Sequence, residues 1–301
     1  MTLAITGGTG FVGSRLIDLA VERGHRVCAL TRRAQEPRDG VEWIVGSLDD
    51  REALEKLVVE SDAIIHVAGV INAPDAAGFE AGNVRGTLAM LAAATAAGTR
   101  RFVHVSSLAA REPKLSRYGA SKARSEELVK GSGLDWVIVR PPAVYGPGDK
   151  ETLELFKMAR GGQIYMPPKG KLSLIHVDDL ARLLLAAAQP EAPEKIVIEP
   201  DDGHRGGWSH VEFGNALAKA VGVPARTIST PRLLLSVASR IDRLVRRDKA
   251  KLTPDRVAYF CHPDWVVSPD RAPPIAFWRP EIATAAGLKQ TAEWYRSKGW
   301  L

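Results

Sequence analysis

The stretch Met1-Thr2-Leu3-Ala4-Ile5-Thr6-Gly7-Gly8-Thr9-Gly10-Phe11-Val12-Gly13 decides the fold. Its first six residues read as a short buried strand, and glycines at 7, 10 and 13 follow at once. That spacing suits a strand that turns tightly into a helix while the pyrophosphate of a dinucleotide lies against the backbone. A side chain at Gly7 or Gly10 would block the approach, and Gly13 would let the new helix pack close to the sheet. The helix N-terminus supplies free N–H groups and partial positive charge. Glycine triplets also occur in flexible loops and in ordinary strand-helix turns, so the context carries the reading. Here an apolar helix follows (Phe11, Val12, Leu16, Ile17, Leu19, Ala20), then Gly24 and a second strand from Arg26 to Leu30. Gly7, Thr9, Gly10, Phe11, Val12 and Gly13 are therefore expected to contact a dinucleotide cofactor.

Outward from this stretch, strands read at 2–6, 26–31, 41–45, 63–67, 101–106 and 135–139, and helices near 11–23, 50–58, 83–97 and 118–131. The alternation predicts an α/β fold, a Rossmann-type doubly wound parallel sheet with right-handed crossovers. Gly24, Gly98 and Gly133 fall where helices stop. After residue 140 prolines cluster and connections lengthen, which predicts a smaller C-terminal lobe that binds substrate over the carboxyl ends of the strands. Residues 1–140 are thus expected to form the dinucleotide-binding domain. Residues 172–190 would pack back onto it, through a helix from Val177 to Ala188. Residues 141–171 and 191–301 would form the substrate-binding lobe, with strands at Leu172 to Val177 and Lys195 to Glu199.

A chain of 301 residues can bury a sizeable core, and 45% hydrophobic with 25% charged residues fits a soluble globular protein. With a strand starting at residue 2 no leader is expected, and no apolar run reaches the roughly 18 residues a membrane span needs. Cys28 and Cys261 make no disulfide framework, so a cytoplasmic location is expected. No Cys/His cluster has metal-site spacing, and no metal is expected. The net charge of +6 is local: Arg226 to Arg256 holds nine Lys/Arg against three Asp, which matches the whole excess. A surface for nucleic acid is therefore not expected.

Tyr118-Gly119-Ala120-Ser121-Lys122 puts Tyr and Lys at i and i+4, on one helix face. A nearby ammonium lowers a phenol's pKa by about 1–3 units and makes it a usable proton donor and acceptor. Tyr165-Met166-Pro167-Pro168-Lys169 has the same spacing, but two prolines exclude a helix there. Just upstream of Tyr118, Ser106-Ser107 closes the strand Phe102 to Val105. A hydroxyl at that edge can donate to a substrate carbonyl oxygen, or serve as a helix cap.

With these pieces in hand the chain resembles an extended or atypical short-chain dehydrogenase/reductase of the NAD-dependent epimerase/dehydratase family. That group includes nucleotide-sugar epimerases and dehydratases, dihydroflavonol-type reductases and 3β-hydroxysteroid dehydrogenases. The matching segments come in family order. They are Thr6 to Gly13, His66-Val67-Ala68-Gly69, Asn83-Val84-Arg85-Gly86-Thr87, Ser106-Ser107, Tyr118 to Lys122, Arg140 to Asp149, His176-Val177-Asp178-Asp179 and Thr291 to Arg296. The resemblance implies that Tyr118 is the general acid/base and that Lys122 lowers its pKa and holds the nicotinamide ribose. Ser107 takes the hydroxyl-donor place. Ser106 and the run Val67, Ala68 and Gly69 lie along the cofactor, Asn83 organises the backbone around it, and Pro141 to Val144 line the nicotinamide. His66 and His176 also read as ordinary packed histidines.

NAD-preferring relatives carry an acid at the end of the second strand, where this chain has Thr31, then Arg32 and Arg33. An arginine can stack on adenine and pair with a 2′-phosphate, so NADP(H) is expected over NAD(H). Relatives often have Gly-Asp-Leu near the adenine. Here Gly46-Ser47-Leu48 stands instead, so Ser47 and Leu48 would make the contact without an acid.

Residues 231–247 place Leu233, Leu234, Val237, Ile241, Leu244 and Val245 on one helical stripe, with arginines over much of the rest. That is either an amphipathic helix covering the substrate lobe or a peripheral membrane contact at the inner face of the membrane. The expected activity is reduction of a ketone on a small hydrophobic substrate, or the reverse, with a 3-oxo lipid (sphingoid or ceramide-like) or a steroid as candidates. The alternatives are a nucleotide-sugar epimerase or dehydratase, and a non-catalytic cofactor-binding subunit or assembly factor related to respiratory complex I. Helices 83–97 and 118–131 could form a dimer seam, so a monomer or a homodimer is expected.

Overall fold

Short apolar runs such as Leu3-Ala4-Ile5 and Ala63-Ile64-Ile65 have no exposed surface in the computed structural model, which describes residues 1–246 and 252–301. In chain order the first elements are β1 (Thr2–Thr6), α1 (Phe11–Glu22), β2 (Arg26–Thr31), β3 (Val41–Val45), α2 (Arg51–Val58) and β4 (Ala63–His66). A short helix α3 (Ala76–Phe79) and a π-helical turn (Glu80–Arg85) lead into α4 (Gly86–Ala97) and β5 (Arg101–Val105). A 3-10 turn (Leu108–Arg111), α5 (Arg117–Lys130) and β6 (Asp135–Val139) come next. Then follow β7 (Ala143–Tyr145), α6 (Leu153–Arg160), β8 (Gln163–Met166), β9 (Lys171–Leu172), β10 (Leu174–His176), α7 (Val177–Ala187) and β11 (Ile196–Ile198). The remainder is β12 (Trp208–Ser209), α8 (His210–Val221), β13 (Arg226–Ser229), α9 (Arg232–Arg246), α10 (Pro254–Phe260), β14 (Asp264–Trp265) and α11 (Thr284–Ser297).

Seven strands form one parallel sheet in the order β11-β6-β5-β4-β1-β2-β3. Its central strands are buried on both faces, as helix-covered parallel sheets are, and this explains their unbroken apolar runs. From β1 the chain winds outward through β2 and β3, then returns to β4 and winds the other way. The reversal sits at the carboxyl ends of β1 and β4, where Thr6 and His66 are register partners. Open α/β sheets bind ligands at such a switch point.

The strand near Lys195 to Glu199 does not lie in the second lobe, where the sequence pattern places it. It belongs to this sheet, where Ile196–Ile198 pairs in parallel with Val137–Val139 of β6. The crossover through α7 brings the chain to the outer edge of β6, which would otherwise stay unpaired. The stretch Leu172 to Val177 holds two strand pieces, β9 and β10, split at Ser173.

The chain divides into two compact units. The first comprises Met1–Pro141, Asp178–Pro200 and Arg271–Arg279; Arg15 of α1 pairs with Asp178 at the start of α7 at 2.7 Å. The second comprises Pro142–Val177, Asp201–Asp270 and Pro280–Leu301, with a core of Tyr145, Phe156, Phe213, Leu217, Leu288 and Tyr295.

Candidate active site

The Gly-rich turn is built by close approach of backbone to backbone. Gly7 has φ +74°, and a Cβ there would lie 2.7 Å from Ala68 N, on the segment that leaves β4. A Cβ on Gly13 would lie 2.1 Å from the Gly7 carbonyl oxygen. Gly13 therefore lets α1 pack on the turn itself, more directly than on the sheet as its spacing suggested. At Gly10 the nearest atom to a Cβ is Gly7 O at 3.3 Å, so this position is the less crowded. Gly10 is the N-cap of α1 and provides no side-chain cap. The leading N–H groups of α1, including those of Phe11 and Val12, thus have no capping side chain, which fits a diphosphate at this helix end.

Beside the turn a cavity of about 260 Å³ is lined by Gly8, Thr9, Ser14, Ile17, Gln35, Arg38 and Trp43. Arg32 and Arg33 are exposed and are not among its lining residues. Thr31 Oγ1 donates to Arg33 O at 2.7 Å, which holds the turn after β2. Arg38 reaches the cavity from the loop ahead of β3, and it also pairs with Asp18 at 2.7 Å. Sequence reasoning missed Gln35 and Arg38 because it stopped at the residues directly after β2; the further arginine on that loop was the available signal. Ser47 Oγ accepts from Asp49 N at 3.3 Å, and Leu48 packs against Gly86, where a Cβ would lie 2.6 Å from Leu48 Cδ1.

A hydrogen-bonded chain runs under the switch point. Ala68 N donates to Thr6 Oγ1 at 3.1 Å, and Thr6 Oγ1 lies 2.7 Å from His66 Nδ1. His66 Nε2 lies 3.1 Å from Thr87 Oγ1, which donates its own proton to Asn83 O at 2.7 Å. Thr87 must therefore accept from Nε2–H, and His66 Nδ1 must accept from Thr6. Burial, with a smaller effect of the Lys122 charge, pushes His66 down to about 3, so the ring is neutral. His66 thus holds the backbone from below instead of facing a ligand. His104 stacks on it at 5.6 Å and is pushed well down by the same burial. His176 is likewise buried, edge-on to Tyr145 at 5.3 Å.

Asn83 fixes the loop after β4. Its side chain accepts from Val70 N at 2.6 Å and donates to Val70 O at 3.0 Å and to Ser121 Oγ at 2.8 Å. Ser121 Oγ in turn donates to Tyr118 O at 2.8 Å. A Cβ on Gly69 would lie 3.0 Å from Asn83 Oδ1 and 3.2 Å from Lys122 Nζ, so Gly69, Asn83 and Lys122 meet at one point.

Helix α5 begins at Ser116, whose hydroxyl accepts from Gly119 N at 3.0 Å. Tyr118 sits half-buried in its first turn, and Lys122 follows one turn later on the same face. Lys122 Nζ donates to Val105 O at 2.8 Å, and burial pulls its pKa down to about 8. Ser107 caps the 3-10 turn by accepting from Ala109 N at 3.2 Å. That bond uses a lone pair and leaves the hydroxyl proton to donate, so cap and donor roles coexist.

Ser106 is buried and its hydroxyl faces away from this edge: it donates to Glu126 Oε1 at 2.6 Å. Glu126 is clamped by Arg140 through two bonds of 2.8 and 2.6 Å, and Arg140 also reaches Glu199 at 3.1 Å. Pro141 O accepts from Leu108 N at 2.9 Å, which ties the end of β6 to the turn after Ser107. Val144 lies in β7, in the second unit, paired with Ile175 of β10. The pair excluded earlier, Tyr165 and Lys169, lies on and after strand β8, with no helix to align it.

Fold and site together define a short-chain dehydrogenase/reductase of the extended type. The chain belongs to the NAD dependent epimerase/dehydratase family, whose model matches residues 3–198, and it is an NAD(P)-dependent oxidoreductase of that superfamily. It is 36% identical to a ceramide reductase of Caulobacter vibrioides, over 99% of this chain and 96% of that protein. It is 28% identical to a 2-alkyl-3-oxoalkanoate reductase of Stenotrophomonas maltophilia, over 96% of this chain and 98% of that protein. Among solved structures, a UDP-glucose 4-epimerase of Thermus thermophilus in complex with NAD superposes with a TM-score of 0.73 at 22% identity, covering 98% of this chain and 99% of the other.

Proposed function

We propose that the protein is an NADP(H)-dependent reductase of a ketone on a hydrophobic substrate, with a 3-oxo lipid of sphingoid or ceramide type as the favoured class. The observation that carries the substrate class is the 36% identity, over nearly the full length of both chains, to a protein named ceramide reductase. When bound, the nicotinamide supplies the hydride for the carbonyl carbon or takes it in the reverse direction. Tyr118 gives its phenolic proton to the carbonyl oxygen as negative charge develops there. Ser107 donates a hydrogen bond to the same oxygen. Lys122, held at Val105 O, stabilises the phenolate and restores its proton. Asn83 keeps the Val70 backbone and α5 in register while this happens. The NADP(H) preference is supported by Thr31 in place of an acid and by Arg38 and Gln35 beside Thr9 and Ser14, a set that suits a 2′-phosphate.

The test is NADPH consumption by the purified chain with pooled long-chain 3-oxo lipids and 3-oxosteroids, beside Tyr118→Phe. Turnover that falls about 10²–10⁴-fold in the variant is expected. Bound NADPH without any turnover would overturn the ketone reading, and co-purifying NAD would then favour a nucleotide-sugar epimerase. Equal dissociation constants for NADH and NADPH, unchanged in Arg38→Ala, would remove the cofactor preference.

A further inference from the structure

We propose that α9 is a docking helix for an anionic lipid surface. Its apolar stripe points away from the protein. Leu233, Leu234, Val237, Ile241, Leu244 and Val245 are 45–80% exposed, and at about 100° per residue they fall within one arc of about 120°. The opposite side, toward α10, is largely polar. Ser239 is buried there, Ser236 and Leu235 are half-buried, and Asp242 accepts from Leu252 N at 2.8 Å. A helix that only covered the lobe would bury the leucines and expose the serines, so that expectation is corrected.

The charges say what covers the stripe. Arg232 and Arg240 are exposed, and the helix also contains Arg243 and Arg246. Its one acid, Asp242, is engaged inward by Leu252. Arg247, Lys249 and Lys251 continue the basic run but lie outside the described residues. Arg240 falls within about 20° of the edge of the stripe, and an apolar stripe beside that exposed cation, on a helix with four arginines and one acid, matches a leaflet of acyl chains under anionic headgroups. A second copy of α9 would bring two helices of net positive charge together, which opposes self-pairing. Among the described residues no helix is long and apolar enough to cross a membrane.

The experiment is co-sedimentation of the full chain with phosphatidylcholine vesicles, with and without phosphatidylglycerol. Phosphatidylglycerol vesicles are expected to pellet the protein, and added salt to release it. Leu233→Glu with Leu244→Glu, both at exposed sites, should abolish pelleting while circular dichroism and thermal unfolding stay as in the parent. Arg240→Gln should lower partitioning about five-fold, whereas Arg51→Gln, an equal charge removed from an exposed site on α2, should not. Protein that stays in the supernatant with phosphatidylglycerol vesicles overturns the proposal. So does pelleting that survives the double glutamate variant, or a concentration-dependent dimer that this variant dissolves without any vesicle binding. The readout uses no turnover, so its failure is separate from failure of the reductase reading.

Discussion

Helices α1 and α9 carry the same kind of sequence and use it in opposite ways. Both repeat apolar residues at helical spacing beside polar ones. In α1, Leu16, Ile17 and Ala20 are fully buried in the first unit. In α9, Leu233, Leu244 and Val245 are more than two-thirds exposed, while Ser239 is buried. Periodicity therefore specifies that a stripe exists, and the partner of the stripe is set by the rest of the chain. For α1 that partner is inside the protein: the sheet and Gly-rich turn precede it by a few residues. For α9 none of the described elements covers the stripe, and the partner we propose is a lipid surface.

The largest effect that tests this contrast is in α1. Leu16→Ala removes methylenes from a site with no exposed surface and leaves a cavity, so a cost of about 2–5 kcal/mol in unfolding free energy is expected. Urea unfolding followed by circular dichroism measures it. A cost below about 1 kcal/mol would mean that α1 is not packed as described, and the comparison would lose its buried member.

A second test separates the two regions by pH. His66 and His104 are held neutral by burial, His66 down to about 3 against an ordinary value near 6.5. Above pH 6.5 both states are neutral and nothing changes. As pH falls from about 6.5 toward 3, the unfolded chain takes up protons that the folded chain excludes, so stability is lost. Each histidine contributes a slope of up to about 1.4 kcal/mol per pH unit. Denaturant midpoints at pH 7 and pH 5.5 should show the loss, and His104→Asn should reduce the slope. The arginines of α9 keep their charge over this range, so vesicle binding by the folded protein should not weaken with it. A flat stability profile from pH 7 to 5 would contradict the neutral, buried histidine stack.

These cases also show what could be read from the sequence. The turn from β1 into α1 was legible because strand, glycines and helix are neighbours. Tyr118 and Lys122 were legible because one helical turn separates them. The parallel sheet was legible from the alternation of short strands with helices. What escaped depends on distant partners. β11 is three residues long, and its place is fixed by β6, almost sixty residues earlier. Ser106 looked like a cofactor contact, but its hydroxyl is drawn inward by Glu126, a buried carboxylate that Arg140 neutralises. Arg38 and Gln35 come from a loop with no period to expose them. For α9 the sequence left a covered and an outward face both open for the same reason, since a stripe looks alike whether covered or bare.

The smallest expected effect is the most pointed for the contrast. Leu244→Ala in α9 should change unfolding free energy by no more than about 0.5 kcal/mol. Leu244 is 80% exposed in the folded chain and similarly exposed in the unfolded one, so truncation removes almost no buried area. Alanine is also the slightly better helix former, which offsets what contact remains. Measured beside Leu16→Ala under the same conditions, the two leucines should differ several-fold. A loss of about 2 kcal/mol or more at Leu244, growing with protein concentration, would show the stripe covered in solution by another copy of the chain. The two helices would then differ only in whether their partner is their own chain or a second one.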